Sequence, residues 1–277
     1  MHSGQQSPDV ADDRYEILVV RHGELNTRRS HVFLNYEDYG EPDGPFTLGY
    51  YFWVVRNQSR TVVFDTGFSR EAAIRRGRTV LLEPPEALRQ LGVEPAADVT
   101  VVLSHGHYDH AGNLDYFENA PVLMARAEFE FWRGPGARHH HFASLAEPAE
   151  LGHLDVLEKS GRLRLTDGEV VVAPGITLAE LPGHTPGQVV LLVDTPAGRV
   201  LLASDAVHFD EELDRDMPFR HMCDLVDAYG SLDRLRDLRD SGEVCAVIAG
   251  HETRVMERYP PLPGTLGEHV VVIGAGE

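Results

Sequence analysis

The stretch VTVVLSHGHYDH occupies residues 99–110 and joins a run of β-branched residues to a dense group of polar ones. Its apolar start, residues 99–103, predicts a buried strand. Four potential metal ligands follow directly, and alternation over two residues directs His105 and His107 the same way, while Asp109 and His110 lie on the turn to the next face. One short segment can therefore supply ligands to two metal ions.

Each ion needs further ligands, and the chain offers candidates after later apolar strands or tight turns. These are His184 in Gly-His-Thr-Pro-Gly, Asp205 in Ala-Ser-Asp-Ala and His251 in Ala-Gly-His-Glu. Imidazole and carboxylate without thiolate suit zinc, iron, cobalt or manganese, and zinc is the default expectation. The two cysteines form no CxxC pair, so neither a disulfide framework nor a thiolate zinc site is indicated.

The rest of the chain alternates short apolar runs with turn signals and a few amphipathic stretches. Strands are predicted at residues 15–21, 50–56, 61–65, 121–125, 188–194, 199–204 and 244–249, and helices at 84–91, 127–132 and 224–238. Turn residues between them predict two hairpins, one joining 50–56 to 61–65 and one joining 188–194 to 199–204. This order predicts two β-rich halves packed face to face with helices outside. No Pro/Gly-rich linker divides them, so residues 14–277 are expected to form a single domain after a disordered start at 1–13.

Two polar segments interrupt this pattern. Residues 133–150 are predicted to form an insertion or lid, and their histidine run 139–141 is expected to lie in a solvated loop. The acidic run 211–216 indicates a solvated face.

Composition excludes several classes of partner. The 277 residues carry 25 basic and 44 acidic side chains, a net charge of −19, which would repel nucleic acid and anionic bilayers. No apolar run approaches the ~20 residues that span a membrane. The acidic start does not resemble a secretion signal, so a cytoplasmic location is expected.

Taken together, His-x-His-x-Asp-His, Gly-His-Thr-Pro-Gly, Ser-Asp and a late Gly-His resemble the metallo-β-lactamase superfamily over residues 15–260, and Asp65-Thr-Gly67 matches its early motif. The resemblance implies an α+β fold, an αββα four-layer sandwich of two mixed β-sheets with helices outside. It also implies one metal ion on His105, His107 and His184 and a second on Asp109, His110 and His251, with Asp205 and a hydroxide bridging them.

Segments 33–36, 39–43, 51–56 and 65–68 look most like the N-acyl-homoserine lactonase branch. The resemblance implies ring opening of a lactone. The chemistry is consistent with this activity, because two cations roughly 3.5–4 Å apart can share a hydroxide and polarise a carbonyl. Asp109 would accept the hydroxide proton and return it to the leaving alkoxide. The branch carries a tyrosine three residues after the bridging aspartate, where this chain has His208, and His208 is therefore a second catalytic candidate.

Other assignments carry less information. Asp65 is expected to hold a turn or a ligand histidine. The substrate walls are expected to include aromatic side chains: Phe46, Phe68, Phe142 and Phe219. The loop at residues 33–45 suggests a homodimer contact.

Three alternatives to the acyl-homoserine lactonase remain. The same metal centre fits another small lactone, such as a pyridoxolactone, or an ester or amide. A redox di-iron protein of this fold usually has Glu in the second ligand position and an appended flavin domain, and His107 speaks against it. A non-catalytic metal-binding sensor predicts no turnover at all.

Overall fold

The computed structural model of the chain describes residues 13–95, 98–117 and 119–275. Most of the predicted disordered start, residues 1–12, lies outside the described residues, and Asp13 pairs with Arg60. The strands are β1 (Glu16–Arg28), β2 (Pro45–Arg56), β3 (Thr61–Phe64), β4 (Thr79–Val80), β5 (Val99–Val102), β6 (Val122–Ala125), β7 (Leu163–Thr166), β8 (Val170–Ala173), β9 (Ile176–Glu180), β10 (Val189–Thr195), β11 (Gly198–Ser204), β12 (Ala246–Ala249) and β13 (Val270–Ile273). The α-helices are α1 (Arg70–Arg76), α2 (Pro84–Gln90), α3 (Arg126–Arg133), α4 (His140–Ala143), α5 (Pro148–Lys159), α6 (Asp210–Arg215), α7 (Leu225–Asp240) and α8 (Val255–Arg258).

These strands form two mixed sheets. The larger has the order β13-β1-β2-β3-β5-β6-β7, with β4 beside β1, and the smaller has the order β12-β11-β10-β9-β8. The predicted hairpin between β2 and β3 is confirmed, with Val55 opposite Val62. The predicted hairpin between β10 and β11 is confirmed too, with Asp194 opposite Arg199.

Alternation along the strands builds three apolar layers. In β2, Trp53 and Val55 face the smaller sheet, while Phe52 and Val54 pack with Leu88 of α2 and other residues on the opposite side. The smaller sheet repeats the pattern on its outer face, where α7 covers it. Because each large apolar side chain buried in this way contributes about 1.5–3 kcal/mol, the two-sided pattern holds four layers together. The predicted αββα sandwich is confirmed.

The predicted lid segment, residues 133–150, is a series of short helical pieces. It contains a 3-10 turn at Gly136–Arg138, then α4, and the start of α5 at Pro148. Glu147 is tied to α1 by ion pairs with Arg75 and Arg76 at 2.6 and 2.8 Å. The histidine run is exposed, as expected, but His140 and His141 begin helix α4, so the expected loop is wrong for these two residues. Movement of the segment as a lid stays a prediction.

The helix at the acidic run corrects one expectation. Residues 211–216 were predicted to form a solvated face, but α6 buries Glu212 completely. Its carboxylate accepts hydrogen bonds from the backbone N–H groups of Phe209 and Phe219, at 3.0 and 3.1 Å. A buried carboxylate needs such donors, and they come from residues outside the run. None of the helices described here is long and apolar enough to cross a membrane.

Candidate dinuclear metal centre

The structure brings all the predicted ligand side chains together at one edge of the two sheets. His105 follows β5, His184 follows β9, Asp205 follows β11 and His251 follows β12. They fall into two buried groups: His105, His107, His184 and Asp205 in the first, and Asp109, His110 and His251 in the second. Within each group the ligand atoms lie within 4.8 Å of one another, so each group could hold one ion.

Several of these imidazoles are held by one nitrogen so that the other faces the cluster. Nδ1 of His105 contacts Ser104 Oγ at 2.9 Å, and Nδ1 of His251 lies 2.7 Å from the Gly49 carbonyl oxygen. Nε2 of His105 and Nε2 of His110 are buried with no hydrogen-bond partner among the described residues. Unpartnered buried nitrogens beside carboxylates are the donor set that a divalent cation requires. The residues therefore fit two metal ions.

Asp205 belongs to the first group and also lies close to the second. Its carboxylate is 3.3 Å from Nε2 of His184 in the first group and 3.2 Å from Nε2 of His110 and of His251 in the second. This approach requires glycine at position 250, because a Cβ there would lie 2.5 Å from Asp205 Oδ1 and 2.6 Å from a backbone oxygen. The Asp205 carboxylate therefore lies within 3.3 Å of imidazole nitrogens from both groups.

Burial and nearby charges shift the pKa values of the first group's histidines and the pKa of His110 in the second group in opposite directions. Burial lowers the pKa of His107 to about 3 and holds the pKa of His105 and of His184 well below the usual value, which keeps these imidazoles in the neutral, metal-binding form. Burial also opposes a charge on His110, but Asp205, Asp109 and Asp65 raise its pKa well above the usual range. The carboxylates thus concentrate negative charge where a cation would bind.

Asp65 holds His110 of the second group through the ring nitrogen that faces away from Asp205. This buried residue, at the end of β3, accepts hydrogen bonds from Ser104 Oγ and Ser204 Oγ at 2.8 and 3.0 Å. Its Oδ2 also lies 2.8 Å from Nδ1 of His110, which turns Nε2 of His110 toward Asp205. Such a carboxylate–histidine contact fixes the ring and increases its basicity. The expected role of Asp65 agrees with these contacts.

We expect Asp65→Asn to weaken metal binding by about 10- to 100-fold. Its amide NH2 would have to face a hydrogen-bond donor, either the Ser104 backbone N–H that Oδ1 accepts or the His110 and serine groups that Oδ2 contacts. Metal retention against a graded chelator, followed by elemental analysis, measures this. Asp167→Asn is the matched control, since its side chain is 70% exposed. Equal retention in Asp65→Asn and wild type would contradict the orienting role.

Glu128 is a functional candidate that sequence reasoning missed. It lies in α3, completely buried, and Oε1 accepts the Gly106 backbone N–H at 2.8 Å and the Trp132 indole N–H at 2.7 Å. Oε2 accepts the Gly187 backbone N–H at 3.1 Å. One carboxylate therefore connects the loop of His105 and His107 to the loop of His184. A buried acid is unusual in a helix, but the sequence gives no sign of which face of α3 is buried.

His208 is also completely buried. Its Nε2 lies 3.3 Å from Asp205 Oδ2 and its Nδ1 lies 3.2 Å from Glu212 Oε1, while Phe219 stacks on the ring at 3.8 Å. Burial opposes a charge on this imidazole, but the two carboxylates raise the pKa of His208 to about 9. His208 touches Asp205 and does not line the adjacent cavity, so its predicted contact with substrate stays a prediction.

A cavity of about 210 Å³ opens over both groups. Leu25, Val32, Leu48 and Leu145 contribute apolar surface, and its polar lining includes Asp109, Tyr50, Tyr108 and Arg78. Of the four predicted aromatic walls, Phe219 lines this cavity. The other three do not: Phe46 packs on Phe209, Phe68 on Tyr50 and Phe142 on Phe131. Aliphatic residues from β1, β2 and the loop before α5 take their place.

Comparison with known proteins gives a consistent result. Residues 47–251 match the family model described as the metallo-beta-lactamase superfamily. An N-acyl homoserine lactonase from a Bacillus species is 34% identical over 152 residues, which cover 54% of this chain and 55% of that protein. The chain thus spans about half the length of the lactonases that it matches. The human acyl-coenzyme A thioesterase MBLAC2 is 29% identical over 209 residues, covering 72% and 71% of the two chains.

Solved structures share the fold at low identity. An N-acyl homoserine lactone hydrolase with the product N-hexanoyl-L-homoserine bound at its catalytic metal centre has a TM-score of 0.71 and 22% identity, covering 91% of this chain and 98% of that one. The dizinc quorum-quenching lactonase AidC in complex with the same kind of product has a TM-score of 0.67 and 20% identity, covering 95% of each chain.

Proposed function

Because the chain belongs to the metallo-β-lactamase superfamily, we propose that it is a dinuclear metal-dependent hydrolase that opens the ring of a lactone. N-acyl-homoserine lactones are the leading substrate class and zinc is the leading metal. The main support for this proposal is the pair of buried ligand groups, with Asp205 of the first group close to the histidines of the second. Both groups lie beneath a cavity that is lined on one side by aliphatic residues. The names of the lactonase relatives support the substrate class.

Two divalent ions held here would lower the pKa of a water molecule toward neutrality and polarise a carbonyl oxygen. Asp109 lines the cavity, and its Oδ2 lies 3.8 Å from Nε2 of His110 and of His251. In this proposal Asp109 accepts the proton of the attacking water and returns it to the leaving alkoxide, and its position in the cavity lining supports that role. The aliphatic side of the cavity would hold an acyl chain and exclude water.

His208 acts through another residue in this proposal. Its imidazole contacts Asp205 and is itself held by Glu212, so it fixes the carboxylate between the two groups. We expect His208→Ala to lower metal affinity and turnover by about 10- to 100-fold. His208→Gln, which keeps a hydrogen-bond donor, should recover part of the metal content; a turnover loss at full metal content would instead favour direct contact with substrate.

Proton release by the metal-loaded protein on a panel of lactones tests the function. We expect ring opening of acyl-homoserine lactones and a loss of at least about 10²-fold in Asp109→Ala, the low end for removal of a positioned acid–base group. Asp115→Ala, an exposed aspartate a few residues further on, is the matched control. Metal content must be measured alongside, because Asp109 belongs to the second ligand group.

Other outcomes of the same panel separate the alternatives. The panel includes unrelated lactones, esters and an acyl-coenzyme A thioester, because the relative MBLAC2 is an acyl-coenzyme A thioesterase. If one of these substrates is hydrolysed while the homoserine lactones stay intact, the proposal of a metal-dependent hydrolase stands and the leading substrate class is rejected. No turnover of any substrate by protein with both ions bound would reject the hydrolase and favour the redox or sensor hypotheses.

A further inference from the structure

Arg78 is a half-buried cation in the wall of the cavity, next to Tyr108 and Asp109. It lies between α1 and β4, and its backbone N–H donates to the Ala73 carbonyl oxygen at 2.9 Å. The guanidinium is fixed as well: Nε donates to the Tyr108 hydroxyl at 2.9 Å and Nη1 to the Arg76 carbonyl oxygen at 2.7 Å. The side chain is therefore held in place before any ligand binds.

No carboxylate among the described residues forms an ion pair with Arg78. Two residues earlier, Arg76 pairs with Glu147 at 2.8 Å, and Arg75 pairs with the same carboxylate at 2.6 Å. In a chain with 44 acidic and 25 basic residues, partners are plentiful. A partly buried arginine with neutral partners on Nε and Nη1 retains the donors of Nη2 for an anion.

The other residues of the cavity define where that anion would lie. Its titratable groups besides the ligand residues are Tyr50, Tyr108, His31 and His221, and its acidic groups, Asp109 and Asp205, belong to the proposed metal centre. The aliphatic side chains contribute no charge. Arg78 is thus a fixed cation in the cavity wall that belongs to neither ligand group.

We propose that Arg78 determines substrate specificity by binding a carboxylate that the substrate carries in addition to the bond that is hydrolysed. This inference rests on the proposed hydrolase function. A guanidinium edge matches a carboxylate in geometry and makes charge-assisted hydrogen bonds with it. The favoured substrate is then an acidic lactone or ester, with its scissile carbonyl at the ligand groups and its carboxylate at Arg78.

Matched pairs of homoserine lactones test this directly. N-hexanoyl- and N-adipoyl-homoserine lactone differ only in whether the acyl chain ends in a methyl or a carboxylate group. The butanoyl/succinyl and octanoyl/suberoyl pairs vary the distance between the lactone ring and that carboxylate. For the pair of the right length, we expect Arg78→Met to lower kcat/KM about 10- to 100-fold more for the carboxylated member than for the neutral one.

Two variants serve as comparisons. Arg78→Lys keeps the charge but loses the planar fork, so its selectivity should lie between wild type and Arg78→Met. Arg75→Met removes the same charge from an exposed neighbour that does not line the cavity, and its selectivity should equal that of wild type. If Arg78→Met lowers both members of every pair equally, Arg78 acts only by holding Tyr108, and the inference is wrong.

A binding measurement keeps this test separate from the proposed function. Calorimetry compares adipate, which has two carboxylates, with hexanoate, which has one, on the metal-loaded protein. We expect wild type to prefer adipate by about 10-fold and Arg78→Met to lose that preference. Absence of lactone turnover together with this preference would reject the proposed function alone. Equal preference in wild type and Arg78→Met would reject the inference even if lactones are hydrolysed.

Discussion

Replacement of Asp205 by alanine is expected to lower hydrolytic activity by at least about 10³-fold, the equivalent of about 4 kcal/mol of transition-state stabilisation. The reason is the position of its carboxylate within about 3.3 Å of imidazole nitrogens in both ligand groups. Removing it leaves each group without its shared anion and leaves His208 without one of its two carboxylate partners.

Metal content and activity should be measured on the same samples of Asp205→Ala, because the expected cause is loss of bound ions. We expect fewer than two ions per chain and a lower melting temperature than loaded wild type, since an ion that binds only the folded state stabilises it. Asp233→Ala, with a side chain 72% exposed on α7, is the control. If Asp205→Ala binds two ions per chain and has normal activity, Asp205 is not part of the metal centre.

Replacement of Glu128 by alanine is expected to reduce the free energy of unfolding by about 3–5 kcal/mol, which corresponds to roughly 10 °C in melting temperature. The variant would leave the Gly106 and Gly187 N–H groups and the Trp132 indole N–H buried without their acceptor. The two ligand loops would lose their connection.

Thermal unfolding of Glu128→Ala should therefore be measured both with bound metal and after chelation. A connection between the loops predicts a deficit in both states and weaker metal retention in addition. Glu128→Gln keeps the volume but turns an amide group toward backbone donors, so it should recover only part of the stability. Glu130→Ala, on the exposed face of the same helix, is the control; a deficit of similar size there would show general helix destabilisation instead.

The metal-binding residues could be predicted because their signals are local. The His-x-His-x-Asp-His segment places its ligands within six consecutive residues, and the later ligands directly follow apolar strands or tight turns. Strand periodicity also predicted the two hairpins, because alternation over two residues decides which side chains are buried. Helix α1 was not predicted, although Ser69 caps its start and Gly77 ends it. Its short length gives little periodicity.

Strand alternation was enough to predict two sheets with helices outside, and the short motifs were enough to show the family resemblance that implied the αββα architecture and the metal ligands, because these signals lie within a few residues of one another. The surroundings of the site, in contrast, are set by contacts between segments that are distant in the chain. Glu128 contacts Gly187 across 59 positions in the chain, and His208 proved to lie under Phe219. Arg78 and the aliphatic residues, not three of the predicted phenylalanines, line the cavity. Such contacts depend on how loops from different strands pack together, and no local pattern encodes that packing.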